Sequence, residues 1–163
     1  MLSKQISLLT IIFTLISCAS HDKAEKGYKA YKPAYKKVAS ELIAAINSGK
    51  SSKSELIRLS EETMAKARPI LTAFSKENPK CEVLVSFMLK NEKSMKNLSP
   101  EKIEMDYHDG GALPKFADEC HDIKEILIHP ATVISLANHR TLKQSKDQMY
   151  DEMEEVLSHL DSL

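Results

Sequence analysis

Apolar residues recur three and four positions apart along most of this chain, and that spacing limits its fold more than any other feature. Tyr28, Tyr31, Tyr35, Val38 and Leu42 form one such stripe. Leu56, Leu59, Thr63, Ala67, Ile70 and Phe74 form a second, and Leu84, Phe87, Met88, Asn91, Met95 and Leu98 a third. Later come Phe116, Cys120, Ile123 and Leu127, then Leu142, Met149, Met153, Val156 and Leu160. Side chains spaced in this way share one face of an α-helix, whereas a strand needs alternation.

The punctuation agrees. Pro33 suits the first turn of a helix that Asn47-Ser48-Gly49 ends. Ser52 or Ser54 can cap the second helix, which Pro69 should kink. Asn78-Pro79 opens a third, and Ser99-Pro100-Glu101-Lys102 a short one reaching about Tyr107. Asp109-Gly110-Gly111 breaks the pattern, Leu113-Pro114 launches a fifth helix, and His129-Pro130 marks its end, after which the last helix runs to the C-terminus. With four Gly, six Pro, no repeat and no convincing strand, the expected fold is all-α: an antiparallel helical bundle of about four main helices with one or two short extra ones.

The first residues follow different rules. Lys4 is the only charge before position 21, and Ile6 to Ile16 is almost wholly apolar. That is a positive start and a short hydrophobic core, too short to span a bilayer, which takes about 20 residues. It ends in Leu15-Ile16-Ser17-Cys18, which resembles the lipobox of bacterial lipoproteins. The resemblance covers about the first 18 residues. It implies a signal peptide at 1–17, removed before Cys18, whose thiol carries diacylglycerol and whose new amine is acylated, as with palmitate. Several acyl chains anchor a protein durably where one is marginal. Ala19, in place of Asp, implies by the same resemblance the periplasmic face of the outer membrane. Residues 18–32 then read as lipid anchor and basic tether, and 33–163 as the bundle.

Export puts Cys81 and Cys120 in an oxidising compartment, where an even pair reads as a disulfide. Ala117-Asp118-Glu119-Cys120-His121 resembles the tail of the c-type haem attachment motif, but Ala117 stands where that motif has its first Cys. Three of the six histidines lie between Asp106 and Pro130. His121, Glu125 and His129, at i, i+4 and i+8, share a helix face, and His108 with Asp109 could complete a zinc or copper shell from the glycine-hinged loop. The competing reading is a solvated face. His21, His139 and His159 read as surface or boundary positions.

No cofactor is otherwise expected, and no catalytic motif is recognisable. A net charge of zero gives no argument for nucleic acid. Eight lysines between His21 and Lys53 face six acids, with no Lys or Arg, between Asp147 and Leu163. First and last helices with complementary faces explain this better than anionic lipid does. The expected function is non-catalytic: a lipid-anchored periplasmic domain that binds an envelope protein or has a structural role. The alternative is a metal- or small-ligand-binding bundle built on Asp106–His129.

Overall fold

The computed structural model describes residues 26–163. The expected signal peptide, Cys18, His21 and the tether up to residue 25 lie outside the described residues. The described chain is all-α and contains no strand: α1 (Lys32–Ser48), α2 (Lys53–Glu77), α3 (Glu82–Met95), α4 (Pro100–Ile103), α5 (His121–His139) and α6 (Leu142–Ser162). None of these helices is long and apolar enough to cross a membrane.

Most boundaries follow from local chemistry. Pro33 sits in the first turn of α1, and Gly49 ends it at φ +62, a conformation that costs glycine little. Ser52 Oγ accepts from Glu55 N and Ser99 Oγ from Lys102 N, capping α2 and α4. Asn78 does not cap through its side chain; Pro79–Cys81 makes a 3-10 turn that leads into α3. Gly27–Tyr31, the last part of the expected tether, is a 3-10 turn docked on α2: Tyr28 donates its N–H to Glu77 and stacks edge-on against Phe74. Tyr31, expected on the apolar stripe, is 45% exposed, because this turn precedes the regular helix.

Two boundaries differ from expectation. α5 starts at His121, after an irregular stretch and a 3-10 turn at Asp118–Cys120, instead of at Leu113-Pro114. It also passes through Pro130 and ends only at His139. The break before α6 falls at Arg140-Thr141, where Thr141 Oγ1 accepts from Gln144 N. The reason lies across the core. A proline lacks the N–H that would bond the carbonyl four residues earlier, here that of Ile126. The Tyr35 hydroxyl of α1 donates to that carbonyl at 2.7 Å. The orphaned acceptor is thereby satisfied within the core. α2 likewise continues through Pro69.

α5 is the centre of the molecule. Every residue from Ile123 to Ala137 is buried, against α2 and α6 chiefly and against α3 and α4 at its edges. A helix buried on all sides cannot be amphipathic. Lys36 of α1 pairs with Asp161 of α6 at 3.2 Å, the complementary charge expected of first and last helices. Arg68 of α2 grips the buried Glu92 of α3 with two hydrogen bonds of 2.8 and 2.7 Å. Cys81 and Cys120 stand at disulfide-bonding distance, with Cα atoms 5.6 Å apart, joining the start of α3 to the start of α5.

Candidate functional site

The central helix carries charge into the core. Lys124 is 1% exposed, Glu125 0% and His129 1%. Glu125 and His129 have the i, i+4 spacing read from the sequence, but they are buried, so the solvated-face reading fails for both. Burial of charge demands partners. Lys124 Nζ donates to the carbonyl of His108 at 3.0 Å and pairs with Glu125 Oε1. That uses one carboxylate oxygen. Glu125 Oε2 is buried and accepts no hydrogen bond, and His129 Nε2 is in the same condition.

These two orphaned atoms face each other at 3.7 Å, and His108 Nε2 lies 4.0 Å from Glu125 Oε2. His108 comes from a π-helical turn, Glu104–His108, that extends α4. The glycine turn behind it is tied down: Gly110 takes φ +87, and Gly111 N donates to Met105 O at 3.0 Å. A side chain at Gly111 would meet the Met105 carbonyl at 2.7 Å, so only glycine lets the loop close this tightly against the turn. This fixes the arm that delivers His108.

The other ring nitrogens settle the orientation of the rings. His129 Nδ1 is 2.8 Å from Glu152 Oε2 of α6, and His108 Nδ1 is 3.3 Å from Glu104 Oε1. The bond to the Glu152 carboxylate places a ring hydrogen of His129 on Nδ1, so that in the neutral ring Nε2 presents a lone pair to Glu125. Two acceptors facing each other in a dry site repel. A cation between them removes both the repulsion and the cost of leaving each unpaired, about 1–3 kcal/mol apiece. Histidines that ligate metals commonly have their second nitrogen held by a carboxylate in this manner. Tetrahedral zinc with ligands about 2.0–2.2 Å away sets those ligands roughly 3.3–3.6 Å apart. Glu125 Oε2 stands 3.7 and 4.0 Å from the two nitrogens, slightly wider than that, and all three donors lie within 4.8 Å of one another.

Of the five residues expected as ligands, His108, Glu125 and His129 converge, with one donor atom from each lying within 4.8 Å of the others. Asp109 does not join them. It is an exposed residue whose Oδ1 lies 4.0 Å from the outer nitrogen of His108, in a group with Glu104. His121, half exposed at the start of α5, reaches Glu125 Oε1 at 3.5 Å but groups with Asp122 and His159. Cys120 stands at disulfide-bonding distance from Cys81.

His159, expected at a surface or boundary position, is only 19% exposed and lies against the cluster. Its Nδ1 is 2.9 Å from Asp122 Oδ1, its ring stacks on His129 with centroids 5.6 Å apart, and its Nε2 is buried without a partner. A signal was present: Glu152, Glu155 and His159, at i, i+3 and i+7, share one face of α6. Asp122 feels opposing influences. Burial, the largest, disfavours its charge, but hydrogen bonds with Ser162, His159 and His121 together outweigh it and hold the carboxyl below its usual range. A groove of about 240 Å³ lies elsewhere, beside Ile46, Leu56, Leu142 and Met149; among its lining residues are Lys143 and Lys146 but no His, Cys, Asp or Glu. Comparison with protein families, curated proteins and solved structures returned no match.

Proposed function

We propose that this chain is a lipid-anchored envelope protein whose helical domain binds a divalent transition-metal ion at His108, Glu125 and His129. The anchoring rests on the leader and on Cys18; within the exported domain, the reading takes the Cys81–Cys120 pair as oxidised. One observation carries the metal reading: the facing, buried and unpartnered Glu125 Oε2 and His129 Nε2. Two imidazoles and a carboxylate suit zinc, with copper(II) as the main competitor, and leave a fourth tetrahedral position for water. Glu104 and Glu152 orient the two imidazoles, and Lys124 holds Oε1 so that Oε2 faces the ion.

The site is closed around Glu125 and sized for an ion, which favours binding over catalysis on a larger substrate. The test is a titration of the purified chain with Zn(II), and with Co(II) as a spectroscopic stand-in. Wild type should bind Zn(II) tightly, and His129→Ala and His108→Ala should each lose the high-affinity ion. At a free ion concentration of 100 Kd, binding stabilises a fold by about 2.7 kcal/mol, on the order of 8–15 °C in Tm for a domain of this size. No thermal shift, and no binding beyond that of the variants, would sink the reading.

A further inference from the structure

The histidines outside the inner site form a graded path to solvent. His121, Asp122 and His159 make one three-ligand set; His129, Glu155 and His159 make another; His108, Glu125 and His129 make the inner one. The outer set and the inner set share no residue, but the middle set shares His159 with one and His129 with the other. Exposure of three rings falls from half-exposed His121, through His159 at 19%, to His129 at 1%, while Glu155 of the middle set is 55% exposed and His108 of the inner set 30%. Ring centroids are 6.0 Å apart from His121 to His159, 5.6 Å from His159 to His129, and 5.8 Å from His129 to His108.

We propose that the inner site is loaded through this series: a divalent ion is taken at His121–Asp122–His159 and handed inward through His129–Glu155–His159. The proposal rests on the metal reading of the inner site. Neighbouring sets share a histidine, so each handover is an exchange between donors a ring's width apart: at His159 the ion gives up Nδ1 with His121 and Asp122 and takes Nε2 with Glu155 and His129. A bare divalent ion in a dry interior is what the fold cannot tolerate. The two nitrogens of His159 face opposite ways along this path. Nδ1 lies 2.9 Å from Asp122 on the outer side, and Nε2 lies 3.7 Å from Glu155 Oε1 on the inner side. A purely structural His159 has its role complete in the bond to Asp122. It leaves the buried, unpartnered Nε2 unexplained, whereas a bridging ligand requires that nitrogen free. The acidic side chains beside the path, Asp122 and Glu155 with Glu152 behind His129, favour a cation throughout.

The experiment is stopped-flow mixing of the whole chain with Co(II), followed by its visible absorption, with release measured into excess EDTA. His159→Phe keeps an aromatic ring against His129 and removes the donors; the exposed Glu155→Gln removes the middle carboxylate at little risk to the fold. A path residue changes the height of a barrier and not the end states. Both variants should therefore slow uptake and release by one common factor and leave Kd unchanged. A residue that merely supports a ligand would weaken affinity by about 10–100-fold. Such a loss of affinity, or uptake and release as fast as wild type in both variants, overturns the relay while leaving the inner site standing. A wild-type chain that takes up no Co(II) removes the inner site and the relay together.

Discussion

Tyr35 shows how one hydroxyl permits a helix that local rules forbid. Pro130 strips Ile126 of its helical donor, and the phenol of another helix replaces it. Tyr35→Phe should leave a buried carbonyl unpaired and cost about 1–3 kcal/mol. The same substitution on a Pro130→Ala background should cost distinctly less, since residue 130 then has an N–H for Ile126. Denaturant unfolding of the four chains gives the coupling directly. Burial also pushes the Tyr35 phenol well above its ordinary range. The folded chain favours the neutral phenol, so this contribution is complete below the usual phenol value of about 10 and is lost as pH rises toward the raised one. Alkaline unfolding of wild type should therefore coincide with a late-titrating tyrosine in ultraviolet difference spectra, absent from Tyr35→Phe.

At the scale of elements, helix starts written in neighbouring residues could be read from the sequence. Ser52, Ser99 and Pro33 do what their positions imply, because a cap needs only atoms a few residues away. The start of α6 is capped in the same way, although the sequence reading sets that boundary at His129-Pro130, and Thr141→Ala should cost about 0.5–2 kcal/mol in urea unfolding. The extent of α5 could not be read in this way. His129-Pro130 has the local form of a stop, and the group that cancels it lies 91 residues in the chain from the Ile126 carbonyl that it satisfies. Burial was misjudged for a related reason. Lys124, Glu125 and His129 look like a polar face when helices are taken to have one, but α5 is surrounded and has no outer face. The candidate site divides along the same line. His108, Glu125 and His129 were named from spacing and a loop, whereas His159 depends on α6 folding back beside the start of α5, which periodicity does not state.

The whole molecule is gathered around a point in sequence that looks ordinary. α2, α3 and α6 pack on α5 while α1 closes directly over α2 and α6, and the Cys81–Cys120 pair stands at the start of α5. Closing a loop of 39 residues stabilises a fold by about 4 kcal/mol in the chain-entropy account. Reduction, or a Cys81→Ser/Cys120→Ser chain, should lower the urea midpoint accordingly. It should also loosen the first turn of α5 before the rest, so the His121 end of the cluster should broaden in NMR spectra while His129 stays sharp.

The enclosure of α5 has a last consequence, in time and not in space. Amide hydrogens from Ile126 to Leu136 have no solvent side through which a local breath could release them. They can trade for deuterium only when the whole domain opens, so their exchange rate is a clock for global unfolding that runs under native conditions. Those amides should be the slowest in the molecule, well behind the glycine loop and the ends of α6. If Zn(II) seats on Glu125 and His129, the clock should slow by the full binding factor, 1 + [Zn]/Kd, and by the same factor at every one of those positions. Mass spectrometry of deuterated peptides from α5 reads that directly.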